Sequence, residues 1–182
     1  MVSRKASNEA GKDASKAAIE TFLSAPAENQ DAFWESDGLI WVDWREYDES
    51  IIDYFNDHLP EGAKIDYVCQ DTAQARGFDI LLNKNGVSAP IPYGEDAADR
   101  DTTLRSIQAY LAPEYQIRWY LDSLGSDTLA FCLLSTAQWA QLEQQFGQAQ
   151  VAHYFAPITA DSKMFEMELD EASRLLKARK GR

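Results

Sequence analysis

Phe78-Asp79-Ile80-Leu81-Leu82-Asn83-Lys84-Asn85-Gly86-Val87-Ser88-Ala89-Pro90-Ile91 reads as two short strands around a tight turn. Asn85 and Gly86 are the residue types that tolerate the positive φ a two-residue hairpin requires. Pro90 and Pro92 lack a backbone N–H, so the second strand belongs at a sheet edge or ends early.

Other elements follow on either side. Upstream, Leu39 to Trp44 is a run of β-branched and aromatic residues and predicts a strand. A helix is predicted over 46–59, with Tyr47, Ile51, Tyr54, Phe55 and His58 on one stripe and Glu46, Glu49, Asp53 and Asp57 on another. Pro60 and Gly62 close it, and residues 64–70 form the next strand. Near the N-terminus a helix is expected over 14–25, stopped by Pro26, with a loop over 27–37 carrying Phe33 and Trp34. Residues 1–13, small and polar, are expected to be a disordered tail.

Downstream, Leu104, Ile107 and Leu111 repeat at helical spacing and predict a helix over 102–111. Residues 116–122 alternate as a strand. Thr128 to Leu134 is apolar on both faces and so belongs at the centre of a sheet. Ser135 and Gln138 have capping-box spacing for a helix to Phe146. A last strand is expected over 151–158 and a terminal helix over 163–180, acidic first and basic last, as suits the helix dipole. Hairpins dominate and βαβ alternation is missing. The fold class is therefore α+β, a single domain with a largely antiparallel sheet packed by helices, spanning 14–160 and followed by a C-terminal helix or tail over 161–182.

Charge is concentrated. Residues 31–101 hold 17 acids and 5 bases, a net −12 within a total of −13. Such a field steers cationic partners and repels nucleic acid and anionic membrane. The sequence shows neither a secretory leader nor an apolar run of membrane-spanning length, so cytoplasmic residence is expected. Cys69 and Cys132 lie in apolar, strand-like runs and read as two buried, reduced thiols; their proximity is left open by the sequence.

The acidic stripe of the 46–59 helix has two readings. It is the solvated face of an amphipathic helix, or it is a docking surface. Like charges four apart, as at Glu49 and Asp53, cost about 0.2–0.5 kcal/mol, and no lysine is interleaved between 46 and 59. A role that uses the charge accounts for that cost, and Asp43 adds to it. The candidate partner-binding residues are therefore Asp43, Glu46, Glu49, Asp53 and Asp57, together with Glu95, Asp96 and Asp99 of a second acidic stretch. That stretch lacks the calcium-loop pattern, and Asp99 or Asp101 also suits a helix cap. Phe33, Trp34, Trp41, Trp44, Tyr47 and Tyr54 lie among the acids. Most are expected in the core, and any that are exposed would anchor an interface inside a charged rim.

Catalytic signatures are missing. His58 and His153 stand alone in their segments, so neither a zinc site nor a nucleophile–base dyad is indicated, and no metal or cofactor is expected. Phosphate-cradling, nucleophile-elbow and dinucleotide patterns do not occur. Arg118, amid Tyr115, Trp119 and Tyr120, reads as half of a structural ion pair, with an anionic ligand as the alternative. The terminal Arg174–Arg182 segment is too short for nucleic-acid binding and could fold against an acidic face of its own chain or a neighbour.

In general character the chain resembles the immunity proteins that bacteria make against their own secreted antibacterial toxins. It is small, acidic, α+β, aromatic-rich and without catalytic motifs. Asp127-Thr-Leu-Ala-Phe131, Trp139-Ala-Gln-Leu-Glu143 and Val151-Ala-His-Tyr-Phe155 are similar in flavour to such domains. The resemblance implies a stoichiometric inhibitor of a toxin. An acidic protein suits a basic one, such as a nuclease. It transfers no functional residue and identifies no subfamily. The alternatives are a small-molecule or divalent-metal-dependent enzyme with its site under residues 95–101, and an adaptor for a basic protein. The oligomeric state is not legible.

Overall fold

The structure, a computed structural model, describes residues 3–94 and 98–180. The chain order is α1 (Ser3–Ser24), α2 (Pro26–Trp34), β1 (Ile40–Asp43), α3 (Asp48–His58), β2 (Asp66–Asp71), β3 (Phe78–Lys84), β4 (Val87–Pro90), α4 (Arg100–Leu111), β5 (Tyr115–Tyr120), β6 (Thr128–Ser135), α5 (Thr136–Phe146), α6 (Gln148–Tyr154), β7 (Phe155–Pro157) and α7 (Leu169–Lys180). Two antiparallel sheets result, β1-β6-β5-β7 and β2-β3-β4. The chain is a single α+β domain.

β6 lies inside the larger sheet, paired to β1 on one side and β5 on the other, as its two apolar faces require. Leu129, Phe131 and Leu133 enter one core with Ile51, Ile52 and Phe55 of α3 and Leu104, Ile107 and Leu111 of α4. Ala130, Cys132 and Leu134 enter a second core with residues of α1, α2, α5 and α6, among them Phe22, Phe33, Trp139 and Val151. The sheet is thus sandwiched between helices. Each fully buried Leu or Phe contributes about 1.5–3 kcal/mol, and the second core adds ring contacts such as Phe22 on Phe33 at 4.6 Å and Phe33 on Tyr120 at 5.2 Å.

The smaller sheet lays Ile80, with Phe78, Leu82 and Tyr67, against the α3/α4 core. Its hairpin turns at Asn85 (φ 54°) and Gly86 (φ 77°), the two-residue turn the sequence predicts. A buried polar cluster fastens it. Arg76, in the β2–β3 loop, donates to Asp48 Oδ2 at 3.1 Å, both side chains being 2% exposed. Asp48 also accepts from the Thr103 hydroxyl (2.8 Å) and the Asp99 N–H (3.1 Å) of the α4 start. The Arg76 guanidinium stacks 3.3 Å from the Tyr93 ring centroid and donates to Phe78 O. No sequence pattern marks this cluster, since Asp48 stands in the same acidic run as Glu46 and Glu49.

Several boundaries differ from expectation. α1 begins at Ser3, through the segment expected to be a tail; Ala, Lys and Glu there favour helix. Residues 27–34, within the 27–37 segment expected as loop, lie in α2. Pro26 ends one helix and occupies the first turn of the next, where its missing N–H costs nothing. Residues 151–154, the first half of the strand expected over 151–158, lie instead in α6. Gly147 (φ 88°) closes α5 and opens α6, leaving only Phe155–Pro157 to pair with β5. α7 starts at Leu169 because Lys163–Glu166 is held otherwise: the buried Asp101 carboxylate accepts the N–H groups of Met164, Phe165 and Glu166, each at 3.0 Å.

Candidate protein-binding face

The acidic face is built on β1 and α3. α3 buries Asp48, Ile51, Ile52 and Phe55, which turns Asp53 and Asp57 outward. The helix starts at Asp48 rather than 46, with Tyr47 in extended conformation at its N-cap. Glu46 is therefore not on the helical stripe. Its carboxylate folds back, accepting the Tyr54 hydroxyl at 2.8 Å and the Tyr47 N–H at 3.2 Å. Asp43, at the end of β1, accepts the Arg45 N–H at 2.7 Å. Glu49 is half-buried, and its Oε2 is buried without a hydrogen-bond partner. Asp53 accepts the Tyr67 hydroxyl at 2.9 Å, which ties β2 to α3.

Asp99 belongs elsewhere: it caps α4, accepting the Thr102 N–H at 2.8 Å. Capping, one of the two roles open to it, is the one it fills, while Asp101 holds the 164–166 segment. Glu95 and Asp96 lie outside the described residues.

The concentrated acids register on their neighbours. The Tyr54 phenol is raised above its usual value, first by its bond to Glu46 and then by burial. Tyr67 is raised by burial, then by Asp53. The Cys69 thiol is raised by partial loss of hydration at its sulfur and then by the charges of Glu49 and Asp53.

Aromatic side chains interrupt this rim. Trp44 is 43% exposed and Tyr47 68%, whereas of the other four aromatics among the acids Phe33 is buried and Trp34, Trp41 and Tyr54 are half-buried. Trp44 packs edge-on against Phe165 at 5.1 Å, which holds the indole in place. Toward the other end of α3 a notch of about 200 Å³ is lined by Leu39, Ile40, Trp41, Tyr54, Asp57 and His58. Trp41 is backed by Trp34 at 4.7 Å, and His58 Nδ1 lies 3.0 Å from Tyr54 O. The notch thus combines an aromatic wall with two carboxylates, Asp57 directly and Glu46 through Tyr54. The sequence named Asp57 and Glu46 but could not tell which aromatics would be exposed. The sequence placed Trp44 in the strand and Tyr47 on the helix stripe, whereas β1 ends at Asp43 and α3 starts at Asp48, which leaves both in the connection.

Other candidates resolve as structure. Arg118 pairs with Glu143 at 2.8 Å and stacks on Trp139 at 4.4 Å, so it is held as an ion pair. Asp122 instead bonds Arg179 of α7, and Leu176 lies 3.7 Å from where a side chain at Gly125 would begin, so the basic terminal helix does fold onto its own chain. Both cysteines are free; Cys132 is buried as expected, but Cys69 is exposed because β2 is an edge strand. Among the described residues no group of three His, Cys, Asp or Glu side chains is arranged to hold a metal ion, and no helix is long and apolar enough to cross a membrane. No protein-family model matches the chain, and no curated protein and no solved structure matches it either.

Proposed function

We propose that this chain is an acidic, cytoplasmic binding protein that neutralises a basic partner by stoichiometric association, an immunity protein against a bacterial toxin. The observation that carries the reading is the exposure of Trp44 and Tyr47 in the β1–α3 connection, within the segment that also carries the acids Asp43, Glu46, Asp53 and Asp57. Exposed aromatics supply contact area at low entropic cost, and a surrounding charged rim supplies steering. A lysine or arginine of the partner fits the notch with its stem on Trp41 and Tyr54 and its charge toward Asp57.

On this reading the charge governs the rate of encounter, and the aromatics govern the lifetime of the complex. The experiment is co-expression with the product of an adjacent secreted-toxin gene. Restored growth together with a purified one-to-one complex supports immunity. A one-to-one complex with a basic protein that is not toxic favours an adaptor instead. Failure to bind the neighbouring gene product refutes the immunity assignment.

A further inference from the structure

The inward face of the smaller sheet is only partly covered. Register places Ile80, Leu82 and Lys84 of β3 beside Ile91, Ala89 and Val87 on that face. Ile80 is fully buried, whereas Val87 at the open end is 67% exposed. Between this end and α4 lies a cleft of about 740 Å³, within the ordinary range for small-ligand sites. Leu82, Val87, Ala89 and Ile91 form one wall, and Arg105, Ala109 and Tyr110 of α4 the other, with Ile158 contributing.

Its charge is the reverse of the molecule's. The chain has 30 acidic residues, yet none of the described residues lining the cleft is acidic, and two are cations. Lys84 Nζ donates to Tyr110 O and, at 3.4 Å, to Ala112 O. Arg105 donates to Ser162 O at 2.9 Å and Thr102 Oγ1 at 2.8 Å. All of these acceptors are neutral, and among the described residues neither cation is paired with a carboxylate beside the apolar wall. Lys84 has three donors and two acceptors. Five residues of helix, about 7.5 Å, separate Arg105 from Tyr110, so the positive field extends along the cleft.

The edge itself is blunt. Val87, Ala89 and Ile91 direct their backbone bonds to β3, leaving Ser88 as the strand's outward N–H, while Pro90 and Pro92 have none. An extended peptide would therefore find little of a ladder to join. We propose that the cleft binds a single-chain aliphatic carboxylate, of the fatty-acid class, with its chain between β4 and α4 and its carboxylate at Lys84. None of the acidic residues of the α3 face takes part, so the inference stands apart from the toxin-binding reading.

The test is titration calorimetry of the whole chain with dodecanoate and with dodecyltrimethylammonium, both below their micellar concentrations. The expected result is saturable one-to-one binding of dodecanoate, with the ammonium roughly tenfold weaker or more, since the site attracts one charge and repels the other. Lys84→Gln should weaken dodecanoate roughly two- to fivefold, the worth of one partly exposed charge pair. Ala89→Trp and, from the opposite wall, Ala109→Trp should each abolish binding; either variant suffices if its circular dichroism and melting temperature match the parent. Equal binding of both amphiphiles, no saturable binding of dodecanoate, or full binding by a folded tryptophan variant overturns the proposal. Tighter binding of an apolar peptide ending in a carboxylate also overturns it, because the occupant would then be a peptide.

Discussion

Asp48→Ala should detach the smaller sheet from the helices beneath it. The substitution removes the acceptor for Arg76, for the Asp99 N–H and for the Thr103 hydroxyl at once. It removes the carboxylate that faces Arg76 among the described residues, while the Phe78 carbonyl and the Tyr93 ring stay in contact with the guanidinium. Breaking one side of a buried ion pair costs about 3–5 kcal/mol. A domain of this size loses about 2–4 °C of melting temperature per kcal/mol, so Tm should fall by about 6–20 °C. Arg76→Met should cost less, because Asp48 keeps two donors. The double variant Asp48→Ala/Arg76→Met should recover part of the sum, since neither member of the pair then lacks the other. Urea unfolding followed by tryptophan fluorescence measures all four corners of the cycle. A cost below about 1 kcal/mol for Asp48→Ala, or additive single effects, would refute the claim that this pair fastens the sheet.

Asp101→Ala strips the Met164, Phe165 and Glu166 N–H groups of their common acceptor, at about 1–3 kcal/mol for each donor left buried; amide exchange there should accelerate, and unchanged exchange would show that Asp101 does not organise the segment. Iodoacetamide should modify Cys69 and spare Cys132 in the native state, since burial pushes the Cys132 thiol well up. Asp53→Asn should speed the Cys69 reaction at pH 8, because losing that charge lets the thiol release its proton more readily; a slower reaction would contradict the field assigned to the acids. The chain should lose stability above pH 10. Unfolded Tyr120 ionises near 10.0, whereas burial and then Asp122 hold its proton on in the fold. The folded form therefore binds more protons, and the stability present below pH 10 is lost as pH rises, by up to about 1.4 kcal/mol per unit for each such tyrosine. A flat profile of unfolding free energy from pH 9 to 11 would contradict this.

What could be read ahead of the structure followed from period and turn chemistry. The Asn85-Gly86 hairpin, the two-faced β6 and the Ser135 capping box are local patterns, and each forms where its residues indicate. Where tertiary contacts decide, the sequence was silent or misleading. Val151-Ala-His-Tyr looks strand-like by composition, yet Gly147 allows a new helix to start and bury Val151 against the second core. Asp48, Asp53 and Asp101 are the same residue type, and their environments range from a buried ion pair to an exposed helix face to a backbone clasp. The candidate face was half legible. Its acids could be counted, but Glu46 turning back to Tyr54, and the exposure of Trp44 and Tyr47, depend on where the strand-to-helix connection lies against Phe165.

The most direct test of the binding account is a comparative pull-down from native lysate at low and high salt, using the parent chain and the folded variant Tyr47→Ala/Asp53→Lys/Asp57→Lys, quantified by mass spectrometry. The account predicts one dominant, basic, stoichiometric partner for the parent, reduced at high salt and lost with the variant. Equal recovery of that partner by parent and variant, or no partner at either salt, would contradict it.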